Sequence, residues 1–229
     1  MEKVILANWK GWIGPGNTDH WFDIFLKHYR PVDGLEVVVA TGFVQMARAA
    51  ARLQGHEGIT ICAQVVSPYP PGGYTGEVPA QWLKGLAEYV LVGHREREKY
   101  FHEDDLHVAR QVSEARHAGL TPIICMDRKG ARRRLAVIND DDQRGSLLAY
   151  TPSEADALEN VDEEREINES VELISVLSGG GKVLYGGGVD RNNAARLISL
   201  PGVAGLMAGR GCLDPLEFAE LVANVAPCI

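Results

Sequence analysis

The fold is indicated most clearly by the segment Tyr89-Val90-Leu91-Val92-Gly93-His94-Arg95-Glu96-Arg97. Its first four residues are aromatic or apolar and mostly β-branched or leucine, which is typical of a strand buried on both faces. A glycine and then charged and titratable residues follow at once, at the carboxyl end of the predicted strand. Strands buried on both faces belong to parallel sheets covered by helices, so we expect helical segments on either side of this one.

Seven further runs of the same character lie before and after this one. Segments with helical spacing separate most of them, most clearly Asp105–Ala118, Glu169–Leu177 and Pro215–Val225. This alternation predicts a parallel sheet, and eight units favour closure into a single (β/α)8 TIM barrel spanning residues 1–229, although an open doubly wound sheet satisfies the same pattern. The eight predicted strands are Val4–Ala7, Glu36–Ala40, Ile59–Ala63, Tyr89–Val92, Pro122–Cys125, Leu147–Tyr150, Val183–Tyr185 and Val203–Met207.

The composition argues against several classes of partner. The chain has 23 Lys and Arg against 31 Asp and Glu, a net charge of −8, which disfavours a nucleic-acid surface or an anionic membrane as partner. No apolar run approaches the length of a membrane span or a signal peptide. The four cysteines form no CxxC pair and are expected to be buried free thiols in a reducing compartment. We therefore predict a cytoplasmic protein.

Two strand ends carry residues suited to catalysis, because in a (β/α)8 barrel the chemistry lies where strands end and loops begin. Lys10 follows the first predicted strand, where its ammonium would neutralise a phosphate or a developing oxyanion. His94 follows the fourth, where it would donate a hydrogen bond or a proton to a substrate oxygen. Either residue alone also suits a structural role, as a solvated lysine or a histidine satisfied by the backbone.

Glycine-rich turns follow the last two predicted strands. They read Tyr185-Gly186-Gly187-Gly188 and Ala208-Gly209-Arg210-Gly211. Such turns expose backbone N–H groups to an anion, and phosphate sites after the seventh and eighth strands are frequent in this architecture. We expect a phosphate site here, although three consecutive glycines also suit a plain tight turn.

Seven motifs follow one another along nearly the whole chain. They are Asn8-Trp9-Lys10, Ala63-Gln64 with Ser67, Gly72-Gly73-Tyr74-Thr75-Gly76-Glu77, Val92-Gly93-His94, Glu96-Arg97, Tyr185-Gly186-Gly187 and Asp214-Pro215. In order and spacing they resemble the triosephosphate isomerase family, most weakly between about Met126 and Lys182. The resemblance implies interconversion of dihydroxyacetone phosphate and glyceraldehyde 3-phosphate through an enediolate, without metal or coenzyme, by a glutamate base and a histidine kept neutral.

The resemblance also implies roles for the residues around the mouth of the barrel. His94 would be the neutral electrophile and Lys10 would screen the phosphate and the enediolate. Asn8 would help to hold the substrate oxygen, and Glu96 would support the site and pair with Lys10.

Further roles follow from the same resemblance. Gly187, Gly188 and Gly209 would lie at phosphate-binding turns. Thr75 would mark the tip of a loop that enters the neighbouring subunit's active site, which implies a homodimer.

One departure from the family pattern falls on the catalytic base. The family's strand-six motif has the form Ala-Tyr-Glu-Pro, whereas this chain reads Ala149-Tyr150-Thr151-Pro152. The flanking residues fix the register, so Thr151 occupies the position of the base. Threonine cannot hold a proton taken from carbon at neutral pH, and general-base catalysis is worth roughly 10²–10⁴ in rate.

Other departures surround the same pocket. No glycine occurs between Pro152 and Ser178, so the family's glycine-bearing lid is absent or rebuilt, and Ser153–Glu166 is expected to be a solvated acidic segment. Arg95 stands where the family has a serine that contacts the base. Arg210 replaces the second glycine of the strand-eight turn, where it would either strengthen phosphate binding or fill the phosphate's place.

Substitute bases and three functions remain open. Glu154 is the first candidate for a replacement base and Asp127 a weaker one.

The chain is either a triosephosphate isomerase of impaired or altered activity, an enzyme acting on another phosphorylated sugar, or a non-catalytic homologue that binds a phosphorylated ligand or a protein partner.

Overall fold

The computed structural model describes residues 3–152 and 163–229. Eight parallel strands pair in chain order, and β8 pairs back onto β1, so the sheet closes into a barrel. The barrel confirms the predicted fold class and all eight predicted strands, each within one residue at either end. The strands are β1 (Lys3–Asn8), β2 (Leu35–Thr41), β3 (Ile59–Ala63), β4 (Tyr89–Val92), β5 (Thr121–Met126), β6 (Leu147–Tyr150), β7 (Val183–Tyr185) and β8 (Val203–Ala208).

Helices alternate with the strands along most of the described chain. The crossover from β3 to β4 instead contains the 3-10 turn Ala80–Leu83. Two of the three predicted helices, Asp105–Ala118 and Pro215–Val225, are confirmed to within one residue. The helices are α1 (Thr18–His28), α2 (Phe43–Arg52), α3 (Arg95–Phe101), α4 (Asp105–His117), α5 (Ala131–Ala136), α6 (Asp140–Arg144), α7 (Glu164–Leu177), α8 (Ala194–Ile198) and α9 (Pro215–Val225).

The third predicted helix, Glu169–Leu177, begins earlier than expected, at Glu164. Glu164 and Glu166 lie in the first turn of α7, where acidic side chains are favoured by the helix dipole. Residues 163–166 are exposed, as predicted for the acidic segment, but they enter the helix. Residues 153–162 of that segment, Glu154 among them, lie outside the described residues.

The core has two layers because alternate strand residues face opposite sides of the sheet. One layer fills the inside of the barrel with side chains such as Leu6, Val38, Leu91 and Ile123, all essentially inaccessible to solvent. The other layer lies between the strands and the helices. The filled interior makes the barrel a rigid support, so its functional surface is the ring of strand ends.

An aromatic cluster fixes the end of β1. Trp9 is buried and its ring centroid lies 4.9 Å from that of Trp21 on α1. Trp21 also packs on Phe218 of α9 and donates from Nε1 to the carbonyl oxygen of Cys212, at 2.9 Å. The cluster therefore ties the end of β1 to the segment that follows β8, on either side of Lys10 and Gly209.

The cysteine prediction needs one correction. Cys62, Cys125 and Cys212 are buried free thiols, as expected, but Cys228 is only half-buried because it lies in the last turn of the chain. Burial raises the pKa of Cys125 to about 12, so this thiol stays protonated. Among the described residues no helix is long and apolar enough to cross a membrane.

Candidate active site

A cavity of about 450 Å³ opens at the carboxyl ends of the strands. It brings together side chains and turns that are far apart in the sequence, from β1, β4, β6, β7 and β8. Most of the predicted site residues line it, namely Asn8, Lys10, His94, Glu96, Thr151, Gly188, Gly209 and Arg210. Gly187 is the exception, because it is a buried residue of the turn after β7.

Lys10 is held in an unusual backbone conformation that directs it at this cavity. Its φ is +50°, in the left-handed region that non-glycine residues seldom adopt. Gln64 stabilises this turn by donating from Nε2 to the carbonyl oxygens of Lys10, at 3.0 Å, and Ala40, at 2.9 Å. The Lys10 N–H donates to Oδ1 of Asn8, at 3.1 Å. Asn8 and Gln64 therefore hold the backbone of Lys10 in position at the end of β1.

The Lys10 side chain ends in an ion pair with Glu96. Its Nζ donates to Oε1 of Glu96 at 2.7 Å, and the two side chains are 17% and 33% exposed. Burial alone would raise the pKa of Glu96, but the hydrogen bond from Lys10 and the nearby charges of Lys10 and Arg95 together lower it. Glu96 is therefore a carboxylate at neutral pH, and its contact with Nζ fixes the position of the Lys10 side chain.

His94 is a buried, neutral imidazole. It caps the N-terminus of α3 by accepting at Nδ1 from the N–H of Glu96, at 3.3 Å. The side chain lies deep in the protein, and this burial lowers its pKa to about 4, despite the opposing charge of Glu96. An accepting Nδ1 places the single hydrogen of the neutral ring on Nε2. The site thus contains an imidazole N–H donor that is uncharged at neutral pH.

The two glycine turns differ in what their geometry requires. Gly188 has a φ of +57° and its carbonyl oxygen accepts from Asn193, at 2.8 Å. Gly209 lies against Lys10, since a Cβ there would approach the Lys10 Nζ to 3.8 Å. The structure therefore places the turn after β8 beside the lysine ammonium, while the turn after β7 lines the same cavity.

Gly187 has a packing requirement of its own. A Cβ at this position would lie 2.4 Å from the Tyr185 hydroxyl oxygen and 3.2 Å from Pro152. Only glycine fits between β7 and the segment after β6. Its N–H group belongs to the same turn as Gly188, but its α-carbon faces protein rather than the cavity.

Thr151 stands at the end of β6, where the sequence placed it. It is 4% exposed, and its N–H donates to the carbonyl oxygen of Met126 at 2.8 Å. Its hydroxyl is directed at the same oxygen, at 3.5 Å, and its methyl group packs towards Gly186. This position therefore presents a small neutral side chain whose hydroxyl faces the backbone.

Arg95 lies directly beside Thr151. Its Nη1 donates to the carbonyl oxygen of Pro152 at 2.9 Å. Arg95 and Thr151 both line the main cavity and also a second, smaller cavity of about 170 Å³ between the ends of β4, β5 and β6. These two residues thus separate the cavities.

Asp127, a candidate for a substitute base, lies in the second cavity rather than the first. Its Oδ1 accepts from the N–H of Gly130 at 2.6 Å. This contact occupies the carboxylate in a turn before α5 and holds it away from His94 and Lys10, which do not line that cavity.

Sequence reasoning missed several residues of the main cavity, among them Trp12 and Asp190. Trp12 is 68% exposed at its rim, and Asp190 lines it after β7. Asp190 accepts at Oδ1 from the N–H groups of Asn192 and Asn193, at 2.8 and 3.1 Å. The Asp-x-x-Asn spacing after the glycine turn was a signal for this capping turn.

The described residues contain no group of three or more His, Cys, Asp and Glu side chains arranged to hold a metal ion. The polar groups around the cavity are instead an ammonium, an imidazole, an amide, two guanidinium groups, two carboxylates and glycine turns. Such a set suits an anionic ligand with a polar carbonyl or hydroxyl group.

Comparison with known proteins assigns the family. Residues 3–225 match the family described as triosephosphate isomerase. The triosephosphate isomerase of Bdellovibrio bacteriovorus is 31% identical over 242 residues, which cover 97% of this chain and 100% of that protein. The one from Solibacter usitatus is 30% identical over 249 residues, covering 97% and 99%.

A solved structure agrees at the level of the fold. The crystal structure of triosephosphate isomerase from Bartonella henselae superimposes with a TM-score of 0.83 at 24% identity, covering 98% of this chain and 99% of that one. The full-length match, the curated relatives and the closed eight-stranded barrel agree with one another, and the chain belongs to the triosephosphate isomerase family.

Proposed function

We propose that this chain is a triosephosphate isomerase-like protein that binds dihydroxyacetone phosphate and glyceraldehyde 3-phosphate, and whose interconversion of the two is impaired. The observation that carries the proposal is the coexistence, in one cavity, of an ordered Lys10–Glu96 pair, a neutral His94 and the Gly188 and Gly209 turns. These are the groups that an enediolate and a phosphate require.

Each group has a part in the proposal. His94 donates from Nε2 to the carbonyl oxygen of the substrate, and its lowered pKa keeps it an N–H donor of neutral charge. Lys10 balances the negative charge that develops on that oxygen and the charge of the phosphate. Asn8 orients Lys10 and the substrate oxygen, while Glu96 holds the ammonium in place.

The phosphate would lie at the turns after β7 and β8. Backbone N–H groups of Gly187, Gly188 and Gly209 are its donors in this proposal, with Arg210 at the edge of the site. The cavity is lined by three cations, Lys10, Arg95 and Arg210, and by the carboxylates of Glu96 and Asp190 among the described residues. The Lys10 ammonium beside the Gly209 turn favours an anion there despite the net charge of −8.

The impairment comes from Thr151. An isomerase of this kind needs a base that removes a proton from carbon, and a threonine hydroxyl directed at the Met126 carbonyl cannot do so at neutral pH. Among the described residues two carboxylates line the cavity, and both are committed, Glu96 to Lys10 and Asp190 to backbone N–H groups. The site can therefore bind and polarise a substrate better than it can deprotonate it.

We also propose a homodimer formed through the loop around Thr75. Residues 70–77 are exposed, and Tyr74 is stacked on Tyr69, with ring centroids 4.5 Å apart. The loop borders a groove whose wall includes the exposed aromatic side chains of Phe43 and Phe101. Exposed aromatic side chains that share one groove favour association.

The dimer proposal can be tested by light scattering on the purified protein. Thr75→Arg should shift the protein towards the monomer, because a charged side chain at the loop tip would be desolvated in the interface. Gln54→Arg, in an exposed turn at the opposite end of the barrel, is the matched control and should leave the mass unchanged. A wild-type monomer would refute the proposal.

Two further properties belong to the proposal. The unpaired cysteines favour a reducing compartment, which supports a cytoplasmic location. A match to one family from residue 3 to residue 225 supports treating residues 1–229 as a single domain with no resident metal or coenzyme.

A second function is favoured by a separate observation. A second cavity of about 170 Å³ adjoins the main one at Arg95 and Thr151, and a three-carbon phosphate does not need this volume. A non-catalytic or repurposed homologue that binds a different phosphorylated sugar or a protein partner would account for it.

A coupled assay of glyceraldehyde 3-phosphate isomerisation, with calorimetric binding of dihydroxyacetone phosphate, separates these functions. The proposal predicts binding, and turnover only slightly above that of a His94→Ala variant. Rapid turnover that depends on His94 would contradict the impairment. Absence of binding by any triose phosphate would contradict the substrate assignment and favour the second function.

A further inference from the structure

A buried arginine adjoins the carboxyl ends of β4 and β5. The side chain of Arg134, on α5, is only 4% exposed, although arginine is seldom buried unless it is paired. Its Nε donates to Oδ1 of Asp105 at 3.0 Å, and its Nη2 pairs with the carboxylate of Glu98. Burial lowers the pKa of Arg134 to about 10, so the guanidinium is still a cation at neutral pH. The protein therefore encloses a positive charge next to these two strand ends.

The Nη1 group of Arg134 contacts backbone rather than carboxylates. It donates to the carbonyl oxygen of Gly93 at 2.9 Å and also to that of Cys125. Gly93 has a φ of +67°, and a Cβ there would lie 2.7 Å from Nη1, so glycine suits both the backbone conformation and the close approach of the guanidinium. The carbonyl group of Gly93 belongs to the peptide that joins it to His94. Arg134 therefore fixes the plane of the peptide that leads into His94.

Arg134 also holds the segment on the other side of His94. Glu98 lies one helical turn after His94, and its N–H donates to the His94 carbonyl oxygen at 3.3 Å. The carboxylate of the same Glu98 pairs with Arg134. One guanidinium thus contacts both the residue before His94 and the first turn of the helix that His94 caps.

We propose that Arg134 is a positioning residue that sets the orientation and the burial of the His94 ring. This inference rests on the function proposed above, in which His94 is the uncharged donor to the substrate. Arg134 lines the second cavity and not the main one, so it acts through the Gly93 peptide and the first turn of α3 rather than on the ligand. A planar guanidinium suits this role because its fixed fork of donors can hold backbone carbonyl groups and carboxylates at once.

NMR titration of the His94 ring tests the inference without any ligand. In the wild-type protein we expect a pKa of about 4, with the hydrogen of the neutral ring on Nε2. Arg134→Lys keeps the charge but loses the planar fork, so water should reach the ring and its proton affinity should rise at least tenfold. The charged groups around the ring, Lys10, Arg95 and Glu96, are the same in both proteins. The difference therefore measures how well Arg134 holds the ring in place.

Arg133→Lys is the matched control. Arg133 precedes Arg134 on α5 and pairs with the same Asp105, but its side chain is 72% exposed. This variant should leave the titration of His94 unchanged. Calorimetry with dihydroxyacetone phosphate adds a second measurement, in which Arg134→Lys should weaken binding roughly three- to tenfold, as the loss of one hydrogen bond provides, and Arg133→Lys should not.

Glu98→Gln is a milder variant that decides the matter if Arg134→Lys does not fold. It preserves the shape of a side chain that is 39% exposed and removes only the charge that holds Nη2 of Arg134. The proton affinity of His94 should again rise, by less than in Arg134→Lys. Thermal melting identifies which variants are folded.

The outcomes separate this inference from the proposed function. An unchanged His94 titration in every folded variant, even with a lower melting temperature, would overturn the inference, because Arg134 would then serve stability alone. An equal rise in Arg133→Lys would overturn it as well. If the wild-type protein fails to bind dihydroxyacetone phosphate, the proposed function is refuted, whereas the ligand-free titration still decides whether Arg134 positions His94.

Discussion

The two sides of the barrel mouth differ in what they offer a substrate. The side formed by β1 and β4 has Lys10 paired with Glu96 and a buried neutral His94, all held by hydrogen bonds. The side formed by β6 has the neutral Thr151, and Arg95, from the segment after β4, donates a hydrogen bond to the carbonyl oxygen of Pro152 on that side. One side is equipped to polarise a carbonyl group, and the other has no group among the described residues to remove the adjacent proton. Our proposal therefore predicts that ligand binding and proton abstraction can be separated experimentally in this barrel.

The largest expected effect comes from restoring a carboxylate on the β6 side. Thr151→Glu should raise isomerisation of glyceraldehyde 3-phosphate by roughly 10²–10⁴, the usual contribution of a general base. The second cavity beside Thr151 provides space for the longer side chain. Thr151→Gln has nearly the same shape without basicity and should show no gain. Equal rates for the two variants would mean that geometry, rather than the missing carboxylate, limits the reaction.

The next prediction concerns the pH dependence of folding stability that His94, at the end of β4, contributes. The pKa of His94 is about 4 in the folded protein against an ordinary 6.5, so the unfolded chain binds more protons between these values. Stability should rise with pH across this window, and up to about 3 kcal/mol should be lost as pH falls from 6.5 to 4. The lowered pKa of Glu96 acts in the same direction, at lower pH.

Urea unfolding of the wild-type protein and of His94→Gln between pH 4 and 7 measures this dependence. The variant should show a flatter profile, because glutamine does not titrate. Parallel profiles would show that His94 is not held neutral by the fold, and would remove the basis for its assignment as an uncharged donor.

The smallest of the three effects is the contribution of Lys10, at the end of β1, to the affinity for the ligand. Lys10→Gln should weaken dihydroxyacetone phosphate about 10–100-fold, since a charge-assisted contact contributes roughly 1.5–3 kcal/mol. Lys84→Gln removes an exposed lysine just before β4, at the other end of the barrel, and should not change the affinity. If calorimetry gave similar affinities for the two variants, the ligand would not be in contact with Lys10.

The sequence was sufficient to predict the strands and most of the residues that line the cavity. Strands such as Leu147–Tyr150 are buried on both faces, which leaves a continuous apolar run, and their carboxyl ends then locate Thr151 and His94. The start of α7 at Glu164 was missed because its first turn is exposed and lacks an apolar stripe.

Contacts across the mouth could not be read from the sequence. The bond from Arg95 to Pro152, the second cavity and the burial of Gly187 depend on how side chains from different strands meet. Spacing along the chain gives the strand that each residue follows but not the direction of its side chain. The roles of the site residues remain predictions, and Glu154 lies outside the described residues.

Deuterium exchange from solvent into dihydroxyacetone phosphate, followed by NMR, shows whether the site removes a proton from carbon, because exchange is detected whether or not isomerisation is completed. The wild-type protein and His94→Ala are measured side by side at neutral pH. The account predicts exchange by the wild-type protein close to the rate of the variant. Rapid exchange that requires His94 would contradict it, and would show that a base such as Glu154 takes the place of the carboxylate absent at Thr151.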